Sequence, residues 1–186
     1  MAVLTEPKAN GGFGPRIKEL APKGTHLATL VDVQDYYNVV RPTFENPSIN
    51  ETVDLTILLF GFKSKEGNLH LVKSPDMRIS GNPKSKLFGF IQQMTGEPPA
   101  YGKDTKDLIG LGVQLTVAHR ESKRTPGKVY AYISAASPLM EELKSKALPP
   151  SAFEKLLNDA NSKESTFGDS GNEKSSSLNE DSGMQF

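Results

Sequence analysis

The chain has 186 residues with 22 basic and 22 acidic side chains, enough for one ordinary domain plus extensions and too few for two large ones. It has no cysteine, which excludes disulfides and thiolate metal sites. No apolar run approaches the ~20 residues of a membrane span, and the N-terminus lacks the pattern of a signal peptide, so the expectation is a cytoplasmic protein.

The zero net charge conceals a segregation. Two basic and six acidic residues fall between Asn158 and Phe186, which puts the tail at −4 and the preceding body at +4. Residues 1–20 show no sustained periodicity and read as a flexible arm. Gly11, Gly12 and Gly14 do not form a phosphate loop, because no strand precedes them and no Gly-Lys-Ser/Thr follows. After Pro22-Lys23-Gly24, the stretch His26 to Tyr37 is rich in β-branched and aromatic residues and reads as a strand. Arg41 to Asn50, with Pro42 and Pro47, reads as a long loop.

A second strand follows. Val53, Leu55, Ile57 and Leu59 alternate along one face, expected to be the core face, while Leu58, Phe60 and Phe62 end the other. Leu69 to Lys73, running on to Ile79 despite Pro75, is a weaker third strand. Asn82-Pro83 has the form of a helix start, and Leu87, Phe88, Ile91 and Met94 recur at helical spacing up to Gly96. Residues 97–106 read as loop, and Asp107 to Gly110 as a single turn.

The clearest unit comes next. Val113, Leu115 and Val117 alternate with polar or small residues, Val129 to Ile133 forms a partner strand, and between them lies a cationic loop with a Pro-Gly turn. Tyr130 and Tyr132 lie two apart, so their rings leave the same face of the hairpin. Beyond Pro138 the pattern allows a short helix to Ala147. A second is expected from Ser151, with Glu154 completing a capping box and Phe153, Leu156, Leu157 and Ala160 forming its apolar stripe. From Asn161 the composition favours disorder.

Three strands, a helix and two strands is the order of the OB-fold, a five-stranded Greek-key barrel that often binds single-stranded nucleic acid. The expected organisation is an arm over 1–20, an OB-fold domain over 21–148, a short amphipathic helix over 149–160, and an acidic tail over 161–186. The chain resembles phage-type single-stranded DNA-binding proteins with an OB core. The likeness lies in Gly24-Thr25-His26-Leu27-Ala28, Asn82-Pro83-Lys84-Ser85-Lys86-Leu87, Asp107-Leu108-Ile109-Gly110 and the run from Tyr130 to Leu139. It implies a non-enzymatic protein that coats single-stranded DNA during replication, recombination and repair. The end of the chain resembles the acidic tail of bacterial single-stranded DNA-binding proteins, which closes on an apolar residue. That likeness implies recruitment of replication and recombination proteins through Glu180, Asp181 and Phe186.

Aromatic rings beside cations suit an unpaired strand, because its bases stack while its phosphates are neutralised. The candidate stacking residues are Tyr36, Tyr37, Phe44, Phe60, Phe62, Tyr130 and Tyr132. The candidate phosphate contacts are Arg120, Lys123, Arg124 and Lys128 in the hairpin loop, and Lys63, Lys65, Lys73 and Arg78 near the second and third strands. No cofactor is implied. Two other readings stay open: a protein-interaction or virion-assembly module on an OB-like barrel, and a metal-dependent nuclease using Asp32, Asp35, Glu51 and Asp54.

Overall fold

The computed structural model describes residues 14–123 and 125–162. Within them the chain is mainly β, with a single antiparallel sheet of six strands. These are β1 (Gly24–Pro42), β2 (Asn50–Lys63), β3 (Leu69–Lys73), β4 (Met77–Arg78), β5 (Gly112–Glu121) and β6 (Val129–Pro138). The strands run in the order β3-β2-β1-β5-β6, with β4 paired to β2 beside β3. The two outer strands, β3 and β6, approach each other, but no hydrogen-bonded ladder joins them among the described residues.

The long first strand makes this curvature possible. Its beginning, Gly24 to Thr29, pairs with β5, and from Ala28 to Pro42 it pairs with β2. Two irregularities bend it, one at Val31 and one at Tyr37-Asn38, where Asn38 adopts φ 56° and its amide donates to Asp54 Oδ1 at 2.9 Å. Bulges concentrate twist, so one strand can serve two neighbours that face each other. Val33, Leu58, Phe60, Phe62, Val72, Val113, Leu115 and Val117 then converge inside.

Helix α1 (Lys86–Thr95) closes this core with Leu87, Ile91 and Met94. The expected start at Asn82-Pro83 is displaced. Asn82 Oδ1 accepts the Lys84 amide in a turn, and the cap is Ser85, whose side chain accepts from the Phe88 amide at 3.2 Å. Gly96 ends the helix at φ 79°, a left-handed conformation that costs glycine little. A 3₁₀ turn (Thr105–Leu108) leads into β5, and α2 (Glu141–Lys144) is a single turn.

The C-terminal part departs further from expectation. Pro149 and Pro150 open a 3₁₀ turn (Pro150–Phe153), and α3 (Glu154–Asn161) begins only after it, without a side-chain cap. Ser151 lies inside the 3₁₀ turn and does not cap, so the capping box does not form. Phe153, however, is fully buried against β2. A Cβ at Gly61 would lie 2.5 Å from its ring, so the close approach depends on the missing side chain. Thr29 Oγ1 donates to the Leu148 carbonyl at 2.6 Å, and Gln34 Nε2 donates to Asn161 Oδ1 at 2.9 Å. Residues 14–17 lie alongside, with the Arg16 amide donating to the Ala160 carbonyl at 3.3 Å.

The sheet is therefore buried on both faces at β2. Ile57, Leu59, Leu71 and Val31 form a second cluster with Phe153 and Ala160, on the side away from α1. The two faces of β2 exchange the roles expected for them. Leu58, Phe60 and Phe62 line the main core, while of the set expected to point inward Ile57 and Leu59 lie beneath the C-terminal segment and Val53 and Leu55 pack with Val39 and Tyr36.

Candidate nucleic-acid interface

Of the seven aromatic candidates, the structure withdraws two outright. Phe60 and Phe62 are 0% and 1% exposed, so neither ring can offer a face to a base. Phe62 instead stacks on His26, with ring centroids 4.1 Å apart, and Phe60 packs edge-on against Phe90. Tyr36 is half-buried against Val39, Val53 and Leu55, and its hydroxyl donates to Gln34 Oε1 at 2.8 Å. The sheet face that carries Phe60 and Phe62 is the one that lines the main core.

One of the cations at β2 and β3 serves another end, and a second stays in solvent. Lys73 is half-buried and its Nζ donates to the Pro15 carbonyl at 3.4 Å, tying residues 14–17 to the sheet. Lys63 is exposed at the end of β2, where it shares a hollow with Lys65, Lys146 and Thr25. Arg124, Glu180, Asp181 and Phe186 lie outside the described residues.

The hairpin brings its candidates together. Arg120 stands opposite Tyr130 in the ladder, and Ala118 opposite Tyr132. Because Val117 and Ile133, the pair before them, point into the core, the alternation sends Arg120, Tyr130 and Tyr132 to the outer face. The Arg120 guanidinium carbon lies 5.3 Å from the centre of the Tyr132 ring, within cation–π range. Tyr130 is 42% exposed, and Lys123 and Lys128 stand in solvent at the tip.

This end of the hairpin projects past the start of β1, whose first residue pairs with Val117. It is still anchored. His119 Nε2 donates to the Ala21 carbonyl at 2.7 Å, and the Gly127 amide donates to Glu121 Oε1 at 2.7 Å across the turn. The outer face thus brings together one guanidinium and two phenol rings.

A second exposed group lies at the far end of β1. Tyr37, at the bulge, is 65% exposed, and Phe44 stands wholly in solvent on the loop to β2. Sequence reasoning did not single out Arg41, because it ended the strand at Tyr37. In fact β1 runs on to Pro42 and sets Arg41 opposite Glu51. Glu51 binds Arg41 at 3.3 Å and also Arg78, while Arg41 reaches Asp76 at 3.4 Å.

The hydrogen bond from Arg78, ahead of the opposing desolvation and the contribution of Arg41, holds the Glu51 carboxyl below the usual carboxylate range. With the folded value below the unfolded one, the stabilisation is complete at neutral pH and is lost as pH falls through that range. Glu51→Gln is accordingly expected to flatten the acid limb of the stability profile followed by thermal unfolding. An unchanged limb would show that the pair contributes nothing in the folded state.

The carboxylates weighed for a nuclease do not converge. Asp32 accepts from the Val33 amide and from Gln34, Asp54 holds the Asn38 amide, Glu51 binds arginine, and Asp35 faces Thr56 across the ladder. Among the described residues, no three His, Asp or Glu side chains are grouped to hold a metal. Nor is any helix among them long and apolar enough to cross a membrane. Comparison with protein-family models, curated proteins and solved structures returns no match.

Proposed function

We propose that this protein binds single-stranded DNA without base specificity, on an OB-type barrel, and that it acts in the cytoplasm during replication, recombination or repair. The observation that carries this reading is the outer face of the β5–β6 hairpin, where Arg120, Tyr130 and Tyr132 share one surface. Rings on a fixed strand can stack successive bases, and the neighbouring cations neutralise the phosphates between them. The strand order, the two-partner β1, the approach of β3 to β6 and the helix ahead of β5 support the OB-type barrel. Recruitment of partner proteins through Glu180, Asp181 and Phe186 rests on the likeness of the tail alone.

Fluorescence anisotropy of labelled oligo-dT, titrated with the full chain over a series of salt concentrations, tests the reading. Binding is expected at low salt and should weaken as salt rises. Each phosphate contact contributes roughly 0.7 to the logarithmic slope for a single strand. Arg120→Ala should therefore lower the slope by about that amount. Absence of binding at low salt would overturn the proposal in favour of a protein-interaction module, for which the exposed Val129 and Tyr130 would be the first contact to probe.

A further inference from the structure

Away from the hairpin and from the hollow of Lys63, Lys65 and Lys146, cations also gather at the far end of β1. Arg41 near the end of β1, Arg78 in β4, Lys84 on the approach to α1 and Lys86 at its first position line two adjoining hollows, of about 320 and 530 Å³, that share Arg41 and Lys86 as walls. Phe44 forms part of the second. A singly exposed ring needs no explanation by itself. Beside Arg41 and Lys86, and next to the hollow that holds Arg78 and Lys84, it has the chemistry of a stacking platform.

The two carboxylates in this region, Glu51 and Asp76, leave the group with an excess of two positive charges. They also fix the arginines. Glu51 is held by both Arg41 and Arg78, so both guanidinium groups are already turned toward one acidic position. A guanidinium binds carboxylate and phosphate with the same planar donor geometry, and Glu51 thus occupies a place that a phosphate can take. Lys84 and Lys86 enter on a short constrained segment, since the Lys84 amide is tied to Asn82 Oδ1 at 2.9 Å.

We infer that this cleft is a second contact site for the same strand, in which a phosphodiester sits among Arg41, Arg78, Lys84 and Lys86 and displaces Glu51, while a neighbouring unpaired base stacks on Phe44. The inference rests on the single-strand reading of the hairpin. It extends that reading to a surface on which Glu51 acts as a built-in competitor for the phosphate.

Anisotropy titrations of the full chain with oligo-dT, and with an abasic deoxyribose-phosphate strand of equal length, separate the contributions. Lys84→Ala combined with Lys86→Ala should weaken this contact and lower the salt slope by up to about 0.7, the share of one phosphate. Phe44→Ala should weaken oligo-dT binding roughly 5- to 100-fold while leaving the abasic strand unaffected. Glu51→Gln, which keeps the shape and removes the charge, should tighten both several-fold. All these positions are at least partly exposed, and thermal unfolding establishes that each variant is folded at the temperature of the titration.

If the wild-type chain binds oligo-dT but the lysine variant keeps its slope, or Phe44→Ala weakens both strands alike, this site is wrong and the hairpin reading stands. If Glu51→Gln leaves affinity unchanged, the displacement is wrong. If the wild-type chain binds neither strand at low salt, the single-strand reading fails and this site fails with it.

Discussion

Phe153→Ala is expected to destabilise the fold by about 3–5 kcal/mol, the range for removing a fully buried aromatic ring from a packed site. The ring sits over Gly61, in a cluster with Val31, Ile57, Leu59 and Leu71 that α1 does not reach. No other large aromatic side chain belongs to the buried part of that cluster, so its loss opens a void that the short α3 cannot fill by collapse. Gly61→Ala should also destabilise, because the new methyl would lie 2.5 Å from the Phe153 ring. Combining the two makes the test specific. The alanine methyl then enters space vacated by the ring, and the double variant should lose markedly less stability than the sum of the singles in urea unfolding. Additive losses would mean that the ring does not occupy the glycine's place.

That packing also explains which parts of the molecule were legible from the chain. The β5–β6 hairpin was readable because its alternation is clean: Val113, Leu115 and Val117 are apolar and their neighbours are polar or small, so one face must be core. Strand β2 has no such contrast from Ile57 to Phe62, where apolar residues occupy both faces. Periodicity identifies a strand buried on two sides there, but cannot say which side faces the main core. The answer depends on Phe153, some ninety residues later, and on residues 14–17. Phe60 and Phe62 were misplaced for that reason.

Two smaller misreadings have local causes. Ser151 and Glu154 have capping-box spacing, but Pro149-Pro150 imposes a 3₁₀ turn that takes Ser151 out of the cap position. Arg41 was taken as loop because Pro42 follows it. A proline at the end of an outer segment is compatible with a strand, and the complementary charges of Arg41 and Glu51 were the signal that the ladder continues.

Replacing both hairpin tyrosines with alanine should cost the largest share of binding, about 1–3 kcal/mol of oligo-dT affinity for each base that loses its platform. Tyr132→Ala also removes the ring beneath Arg120, freeing the guanidinium to move and adding an entropic cost to its phosphate contact. The pattern matters as much as the size. Tyrosine carries no charge at neutral pH, so Tyr130→Ala with Tyr132→Ala should weaken affinity at every salt concentration and leave the slope nearly unchanged. Arg120→Ala should reduce the slope. Phe60→Leu supplies the opposite case: the ring is enclosed in the core, so stability should fall while the affinity of the folded protein for oligo-dT stays the same. A tyrosine double variant that unfolds earlier but binds as well as wild type would make these rings packing residues and leave the cations alone to hold the strand.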